Sequence, residues 1–202
     1  MPTATERLET QKYPALIFTA VLAVAAFPMT VHAQTAITPL HRAAILVRTL
    51  AYHKKSGATA SKTSVIAVLG KAGSSGSTAE AKEMEEAFKK VASTIPKGGD
   101  RVKIARLDYS SAARFDSDLQ KLDVKAVYVS EGLDSELKDV QQVTRRRKVL
   151  TLSGQERSVR AGLSVGVYAS GGKSRLLVNL TACRAEGASF GPELLRLAEI
   201  VR

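Results

Sequence analysis

Apolar and polar residues alternate along two segments that flank Gly171 and Gly172, near the end of the chain. A two-residue Gly-Gly link favours a type I′ hairpin turn, because both central residues of that turn need a positive φ angle. A register set by this turn brings apolar pairs to one face of the hairpin. The predicted opposed pairs are Ser170/Lys173, Val167/Leu176, Val165/Val178 and Leu163/Leu180. The other face is predicted to meet water and carries Ser164, Tyr168, Arg175 and Asn179.

Upstream of this hairpin, short apolar runs alternate with segments of helical periodicity. The run SVIAVL at 64–69 lacks polar alternation, as expected of a strand that is buried on both faces in a parallel sheet. Helical spacing is clear at 78–91, where Thr78 is the predicted cap. The predicted helices are 39–53, 78–91, 111–122, 133–145 and 191–202. The predicted strands before the hairpin are 64–69, 102–107, 125–129 and 148–152.

This succession of strand-then-helix units favours an α/β fold with right-handed crossovers. We predict a single three-layer domain at 34–202 with a mixed, mainly parallel sheet of about six strands. The sheet ends in the β-hairpin, and a C-terminal helix follows. A segment of this length is sufficient for one self-contained core.

The segment 1–33 has the features of a secretory signal peptide. A weakly basic start that includes Lys12 precedes an uncharged apolar run at 14–27, and small residues occupy the positions that a signal peptidase reads. We predict cleavage after Ala33. The alternative is a retained membrane anchor, since no Lys, Arg, Asp or Glu lies between Lys12 and Arg42.

The formal net charge is +11, and the predicted leader contains equal numbers of acidic and basic residues. Such a charge favours an acidic protein surface, an anionic lipid or a nucleic acid as partner, although a soluble basic surface explains it equally well. The charges are scattered, and the only run is Arg145 to Lys148, at a predicted helix end where the helix dipole favours cations. Because the chain has no Trp and no aromatic cluster, base stacking is not supported and no nucleic-acid partner is expected.

Cys183 is the single cysteine, so the domain has no internal disulfide and must be stable by packing. Its apolar neighbours predict a buried, unreactive thiol. The histidines His41 and His53 lie far apart and no second cysteine joins them, so no metal site is expected. We assign no catalytic residue, no metal ligand and no cofactor.

Two motif matches do not have the context that their chemistry requires. The segment 162–166 reads G-x-S-x-G, but Ser164 lies inside an alternating strand and no histidine follows His53. The segment 166–174 resembles a phosphate-binding loop, but it has one residue too many and joins strand to strand. The hairpin turn accounts for its glycines.

A crevice at the carboxyl ends of the parallel strands is the candidate ligand site, because ligands bind there in open α/β sheets. The glycine-rich segment 70–76 follows a buried strand and opens a helix, where backbone N–H groups can hold an anion. A flexible loop is the alternative reading of that segment. The candidate residues are Gly70, Gly73, Ser74, Ser75, Gly76, Asp108, Ser130, Glu131, Ser153 and Gly154.

The last third of the chain combines a glycine-led strand from Gly162, a strand that ends in Asn179-Leu180, a small-residue helix at 182–185, and the sequence LLRLA at 194–198. In these features it resembles the YfiR/HmsC family of periplasmic proteins. The first helix and the strand that ends in Val-Leu-Gly at 68–70 fit the opening order of the family.

The resemblance implies a small exported α/β protein of the periplasm that is not an enzyme. Characterised members are negative regulators of inner-membrane diguanylate cyclases, and hence of cyclic-di-GMP, exopolysaccharide and biofilm. The expected partner is the periplasmic domain of an inner-membrane signalling protein, either a diguanylate cyclase or a sensor kinase, and association as a homodimer is left open. The alternative function is a periplasmic small-molecule binding module. The redox-sensitive cysteine pairs of some members are absent here, so control by a disulfide is not expected.

Overall fold

The computed structural model describes residues 37–52, 63–95 and 101–201, and these form alternating strands and helices. The helices are α1 Pro39–Ala51, α2 Ser75–Ser93, α3 Ala112–Leu122, α4 Leu137–Arg147, α5 Glu156–Arg160, α6 Leu180–Ala185 and α7 Pro192–Leu195. The strands are β1 Thr63–Lys71, β2 Arg101–Tyr109, β3 Val124–Val129, β4 Leu150–Ser153, β5 Val165–Ser170, β6 Lys173–Asn179 and β7 Glu199–Val201. A 3₁₀ turn, Asp134–Glu136, leads into α4.

The described strands form one seven-stranded sheet in the order β2-β1-β3-β4-β5-β6-β7. Neighbouring strands are parallel from β2 to β5, β6 is antiparallel to β5, and β7 is parallel to β6. The predicted fold class is confirmed: the domain is α/β, with a mixed and mostly parallel sheet.

Apolar side chains pack on both faces of the sheet, which explains the uninterrupted apolar runs of the central strands. On one face, α1 and α2 cover the sheet, and Phe88 meets Tyr128 edge-on with ring centroids 5.8 Å apart. On the other face, Phe115 of α3 and Val140 of α4 pack against Val127 of β3. Two separate apolar clusters therefore stabilise the three layers.

The hairpin has the predicted register over its three turn-proximal pairs. Ser170 faces Lys173, Val167 faces Leu176 and Val165 faces Val178. Gly171 and Gly172 have φ angles of 57° and 72°, as this turn requires. The fourth predicted pair, Leu163 with Leu180, is wrong: Leu163 precedes β5 and packs in the opposite cluster, and Leu180 is the first residue of α6.

The predicted water-facing side of the hairpin is also wrong at its inner end. Ser164 and Asn179 are buried, whereas Arg175 is exposed and Tyr168 is half-buried. Asn179 ends β6 and caps α6 by accepting a hydrogen bond from the backbone N–H of Ala182 at 3.0 Å. Burial therefore follows from elements that cover the sheet, and not from the alternation of the two strands.

Other boundaries also differ from the prediction: α4 begins at Leu137 and not at 133, and the short helix α5 was not predicted. Helix α2 begins at Ser75 and is capped by Ser74, not by Thr78. The predicted C-terminal helix at 191–202 is wrong, because only Pro192–Leu195 is helical and Glu199–Val201 forms β7 beside β6. Strand β7 raises the strand number from the predicted six to seven.

Helix α4 ends within the cationic run, as predicted. Arg146 and Arg147 donate to the carboxylate of Asp116 on α3, at 2.8 Å and 2.6 Å. Lys148 ends the helix in the left-handed region with φ 56°. The cations therefore join two helices besides complementing the helix dipole.

The predicted signal peptide, 1–33, lies outside the described residues, so both it and the cleavage after Ala33 remain predictions. None of the helices in the described ranges combines the length and the apolar character that a membrane crossing needs.

Candidate functional site

The predicted crevice residues all lie at the carboxyl edge of the parallel strands. Gly70 is near the end of β1, Asp108 near the end of β2, and Ser153 ends β4. Ser130 directly follows β3. The other residues lie in the segments that leave these strands: Gly73, Ser74, Ser75, Gly76, Glu131 and Gly154.

The glycine-rich segment is ordered by the start of α2. Gly73 has a φ angle of 78°, and the backbone N–H of Lys71 donates to Ser77 Oγ at 2.9 Å. Ser74 caps the helix by accepting from the backbone N–H of Ser77. Lys71 Nζ also contacts Glu136 at 2.9 Å, which connects this segment to the turn before α4.

Three polar side chains from separate elements meet beneath this edge, and we call Arg42, Glu80 and Tyr128 the polar triad. Tyr128 Oη donates to Glu80 Oε1 at 2.8 Å. Arg42 Nη1 lies 3.7 Å from Glu80 Oε1 and 3.5 Å from Tyr128 Oη. The other oxygen of Glu80 accepts from the backbone N–H of Glu131 at 2.5 Å. The triad therefore ties α1, α2 and β3 to the crevice.

Burial determines how this triad is charged. Tyr128 is fully buried, and burial together with the neighbouring Glu80 carboxylate raises the pKa of Tyr128 well above its usual value. The phenol therefore stays protonated and acts as a hydrogen-bond donor. The Arg42 and Glu80 side chains are only 17% and 14% exposed. The two opposite charges therefore pair with each other where little solvent reaches them.

Gly154 is required by the triad. A Cβ atom at this position would lie 2.6 Å from Tyr128 Oη and 2.8 Å from Arg42 Cζ. Any side chain here would therefore displace the triad. Gly154 is a packing requirement of this crevice and not a flexible joint.

Two polar atoms at this edge are buried without a hydrogen-bond partner in the described part of the chain: Ser130 Oγ and Arg42 Nε. The preceding residue, Val129, pairs with Leu69 on one side and with Ser153 on the other, so Ser130 is level with Gly70 and Gly154. A buried polar atom without a partner is costly, which makes this row a candidate contact for a bound polar group.

Asp108 and Ser153 make their hydrogen bonds away from the triad. Asp108 is exposed and accepts from Arg106 at 3.4 Å. Ser153 Oγ accepts from the backbone N–H of Gln155 at 3.1 Å and donates to the carbonyl of Val129. The structure thus brings Glu131 and Gly154 to the triad, places Ser130 beside Gly154 in the sheet, and gives Asp108 and Ser153 other contacts.

A second buried carboxylate lies on the other side of the sheet, at the end of α6. Glu186 is 2% exposed and accepts from the hydroxyls of Thr144, Thr151 and Ser164, and from the backbone N–H of Thr151 at 2.8 Å. Burial raises the pKa of Glu186, and these hydrogen bonds oppose that rise. We call Glu186 and its three hydroxyl partners the hydroxyl cluster.

The hydroxyl cluster accounts for the G-x-S-x-G match. Ser164 is fully buried and donates to Glu186, so its hydroxyl is not presented to solvent as a nucleophile would be. Cys183 lies beside this cluster, where burial raises the pKa of the thiol to about 12. The prediction of a buried cysteine is confirmed, and the raised pKa agrees with the predicted low reactivity.

The sequence profile of the YfiR/HmsC-like family matches residues 41–199. The chain belongs to this family. The resemblance inferred from the C-terminal third is confirmed and extends through α1, β1 and the whole sheet. Membership of the YfiR/HmsC-like family supports a periplasmic regulatory role for the chain. No curated protein sequence matches it.

Solved structures with a similar fold include an ABC domain in complex with L-Trp from Streptococcus pneumonia, with 11% identity, a TM-score of 0.59, and coverage of 82% of this chain and 60% of that one. A conserved domain protein from Vibrio cholerae has 16% identity, a TM-score of 0.57, and coverage of 83% and 60%. CD0873, a substrate binding protein with adhesive properties from Clostridium difficile, has 13% identity, a TM-score of 0.51, and coverage of 69% and 54%.

This YfiR/HmsC-like chain spans about 60% of the first two structures, and at such identities the likeness concerns the fold alone. This likeness agrees with the α/β fold described above.

Sequence reasoning missed the polar triad and the hydroxyl cluster. One signal for the triad was available: Arg42 lies on the buried line of α1 with Leu46 and Thr49. A second was Tyr128, a polar aromatic residue in the buried apolar part of β3. For Glu186 there was no local signal, because the three hydroxyls reach it from α4, β4 and the segment before β5.

Proposed function

We propose that this chain is an exported, non-enzymatic regulatory module that modulates a membrane-bound signalling protein through its periplasmic domain. The signalling protein is a diguanylate cyclase or a sensor kinase. The single observation that carries the proposal is membership of the YfiR/HmsC-like family over residues 41–199. The buried, hydrogen-bonded states of Ser164 and Cys183 agree with it, since neither group is presented to a substrate.

The test is capture of the membrane partner in native envelopes. The tagged full chain is crosslinked in place, and the captured proteins are identified by mass spectrometry. Recovery of a membrane cyclase or kinase, with activity that changes when the purified chain is added, is the expected result. A cyclase or kinase whose activity is insensitive to the chain, or the absence of any such protein above background, contradicts the proposal.

A second candidate function is a periplasmic small-molecule binding module. It is favoured by the buried, unpartnered atoms Ser130 Oγ and Arg42 Nε at the carboxyl edge, which is the usual ligand position in such folds. A ligand whose free concentration is 100 times its Kd stabilises the folded protein by about 2.7 kcal/mol. A thermal-shift screen of periplasmic metabolites therefore tests this function. Any shift should be lost in Ser130→Leu, which fills the site, and kept in Ser174→Leu on the exposed hairpin face.

A further inference from the structure

Strand β2 is one edge of the sheet, and one side of it is open among the described residues. All nine of its residues pair with β1, from Arg101 opposite Thr63 to Tyr109 opposite Lys71. No other strand in the described ranges pairs with it. A strand of this length with an unpaired side is a template for the addition of another strand.

The groove beside the first half of β2 is apolar at its base. It runs between the last turns of α2 and the strand, and it is lined by Lys89, Ala92, Ser93, Val102, Lys103 and Ile104. Val102 and Ile104 are half-buried and pack against the apolar cluster beneath α2. Lys89 is paired with Glu85 at 2.6 Å, so the charge on the helix side of the groove is balanced.

The opposite face of the same strand segment is cationic. Arg101 and Lys103 alternate with Val102 and Ile104, so their side chains leave the strand on the other side of the sheet. Both are exposed, and no acidic side chain of the described residues pairs with either. An added strand would therefore meet an apolar surface on one face and, on the other, positive charge that no acidic side chain in the described ranges compensates.

We propose that the open edge of β2 binds, by strand addition, an extended segment of a partner protein in which apolar and acidic residues alternate. The apolar side chains of that segment lie in the groove against Ala92, Val102 and Ile104, and its acidic side chains lie against Arg101 and Lys103. Backbone hydrogen bonds supply affinity, and the alternation supplies specificity. This inference rests on the proposed function only for the origin of the segment, which would be the periplasmic domain of the partner.

Charge disfavours a second copy of the chain as the occupant. Two β2 edges side by side would bring together the Arg101 and Lys103 side chains of both copies. Like charges opposite one another destabilise strand pairing, and cations on an edge strand are a common means of preventing self-association. The same cations attract an acidic strand.

The test is binding of a labelled peptide of about ten residues, a typical strand length, in which valine and glutamate alternate. Fluorescence anisotropy with the purified full chain should show saturable binding that weakens as salt is added. Two matched peptides separate the contribution of charge from that of the backbone hydrogen bonds. A peptide that alternates valine and lysine should not bind, and a valine–glutamate peptide methylated at every second backbone nitrogen should bind at least about tenfold more weakly, because it cannot form the strand hydrogen bonds.

A pair of charge reversals locates the site on the protein. Lys103→Glu should weaken binding of the valine–glutamate peptide by about fivefold to tenfold. Lys121→Glu, at an exposed position of α3, is the matched control and should leave binding unchanged. The proposal is overturned if the two variants bind the peptide equally, if the methylated peptide binds as well as the unmethylated one, or if no saturable binding is seen. It is also overturned if the wild-type chain forms a dimer that Lys103→Glu dissociates.

Envelope capture with Lys103→Glu separates this inference from the proposed function. Loss of a captured cyclase or kinase in this variant, but not in Lys121→Glu, supports both. Unchanged capture overturns the edge proposal and leaves the proposed function standing. If the wild-type chain captures no signalling protein, the proposed function fails, and the peptide titration alone decides the edge proposal.

Discussion

The carboxylates of Glu80 and Glu186 both lie inside the domain, on opposite faces of the sheet, and the protein compensates them differently. Glu80 has a cation nearby, Arg42, and accepts from Tyr128 and from a backbone N–H. Glu186 has no cation among its described contacts, and neutral hydroxyls and one backbone N–H surround it. A buried carboxylate thus requires either a counter-charge or a full set of donors.

The difference bears on function. The polar triad lies at the carboxyl edge of the sheet, where Arg42 Nε of the triad and the nearby Ser130 Oγ have no hydrogen-bond partner among the described residues. In the hydroxyl cluster, Glu186 accepts hydrogen bonds from α4, from β4 and from the segment before β5. This arrangement indicates a structural role, in which Glu186 holds these three segments together. We therefore expect substitutions in the hydroxyl cluster to change stability more than those in the triad.

The largest expected effect comes from a carboxylate with neither kind of compensation. Val165, on strand β5 of the hairpin, is fully buried in the apolar cluster that includes Ala43 and Leu46 of α1. Val165→Asp would bury an unpaired charge and should destabilise the domain by more than about 4 kcal/mol, enough to unfold it. Urea unfolding followed by circular dichroism measures this. Ser174→Asp, exposed on the same hairpin, should be nearly neutral, and a soluble, folded Val165→Asp variant with unchanged melting would refute the hairpin register.

Removal of the acceptor of the hydroxyl cluster comes next. Glu186→Ala leaves buried donors of Thr151 and Ser164 without an acceptor, and it should lower the free energy of unfolding by about 3 kcal/mol. Glu193→Ala, in the first turn of α7, is a control outside the cluster. Similar losses in the two variants would show that the cluster does not hold the C-terminal segment.

The same residue should make stability depend on pH. The pKa of Glu186 in the folded state is raised above its usual 4.5. As pH rises above 4.5, the unfolded state therefore loses the Glu186 proton before the folded state does. The free energy of unfolding should therefore fall as pH rises from 4.5 through the folded pKa, and this fall should be smaller in Glu186→Gln. Chemical unfolding of both proteins over this range measures the difference, and parallel pH profiles would contradict it.

A smaller loss is expected when the cation of the triad is removed. Arg42→Ala leaves the Glu80 carboxylate without its counter-charge and should lower the free energy of unfolding by about 2 kcal/mol, since both side chains retain some exposure. The double variant Arg42→Leu with Glu80→Leu should recover part of this loss. A double variant less stable than Arg42→Ala would show that the pair is stabilising in itself.

The smallest effect is expected at Ser130. Its hydroxyl is buried without a hydrogen-bond partner among the described residues, so Ser130→Ala removes an unsatisfied polar group and should raise the free energy of unfolding of the unliganded domain by about 1 kcal/mol. A loss above 1 kcal/mol would show that the hydroxyl has a hydrogen-bond partner in solution. Ser77→Ala, which removes a bond to the backbone of Lys71, is the comparison and should lower the free energy of unfolding.

Sequence reasoning predicted which residues lie at the carboxyl edge of the sheet, and a ligand site at that edge remains a prediction. The rule that parallel strands present their carboxyl ends at one edge was sufficient to put Ser130, Glu131 and Gly154 there. Arg42, Glu80 and Tyr128 belong to three different elements, and no local pattern shows that α1 and α2 converge above β3. The unpartnered atoms were equally inaccessible, because hydrogen-bond satisfaction is a property of the packed molecule.

The errors in the fold have the same origin. The pair Leu163/Leu180 failed because the chain leaves the sheet at both ends of the hairpin, where Asn179 caps α6. Glu199–Val201 forms a strand because it pairs with the otherwise unpaired side of β6. Three residues are too few for an alternating pattern to predict a strand from the sequence. The leader and its cleavage after Ala33 remain predictions.

The sequence by itself determined the α/β class, the order of strands β1 to β6 and of helices α1 to α4, and the register at the Gly-Gly turn, but not the short helix α5. These depend on periodicity and turn chemistry, which act over a few neighbouring residues. Tertiary structure decided which polar groups are buried, which charges meet and which edge stays open. Those outcomes depend on contacts between residues far apart in the chain, and the burial of Glu186 and the exposure of β2 exist only once the layers have packed.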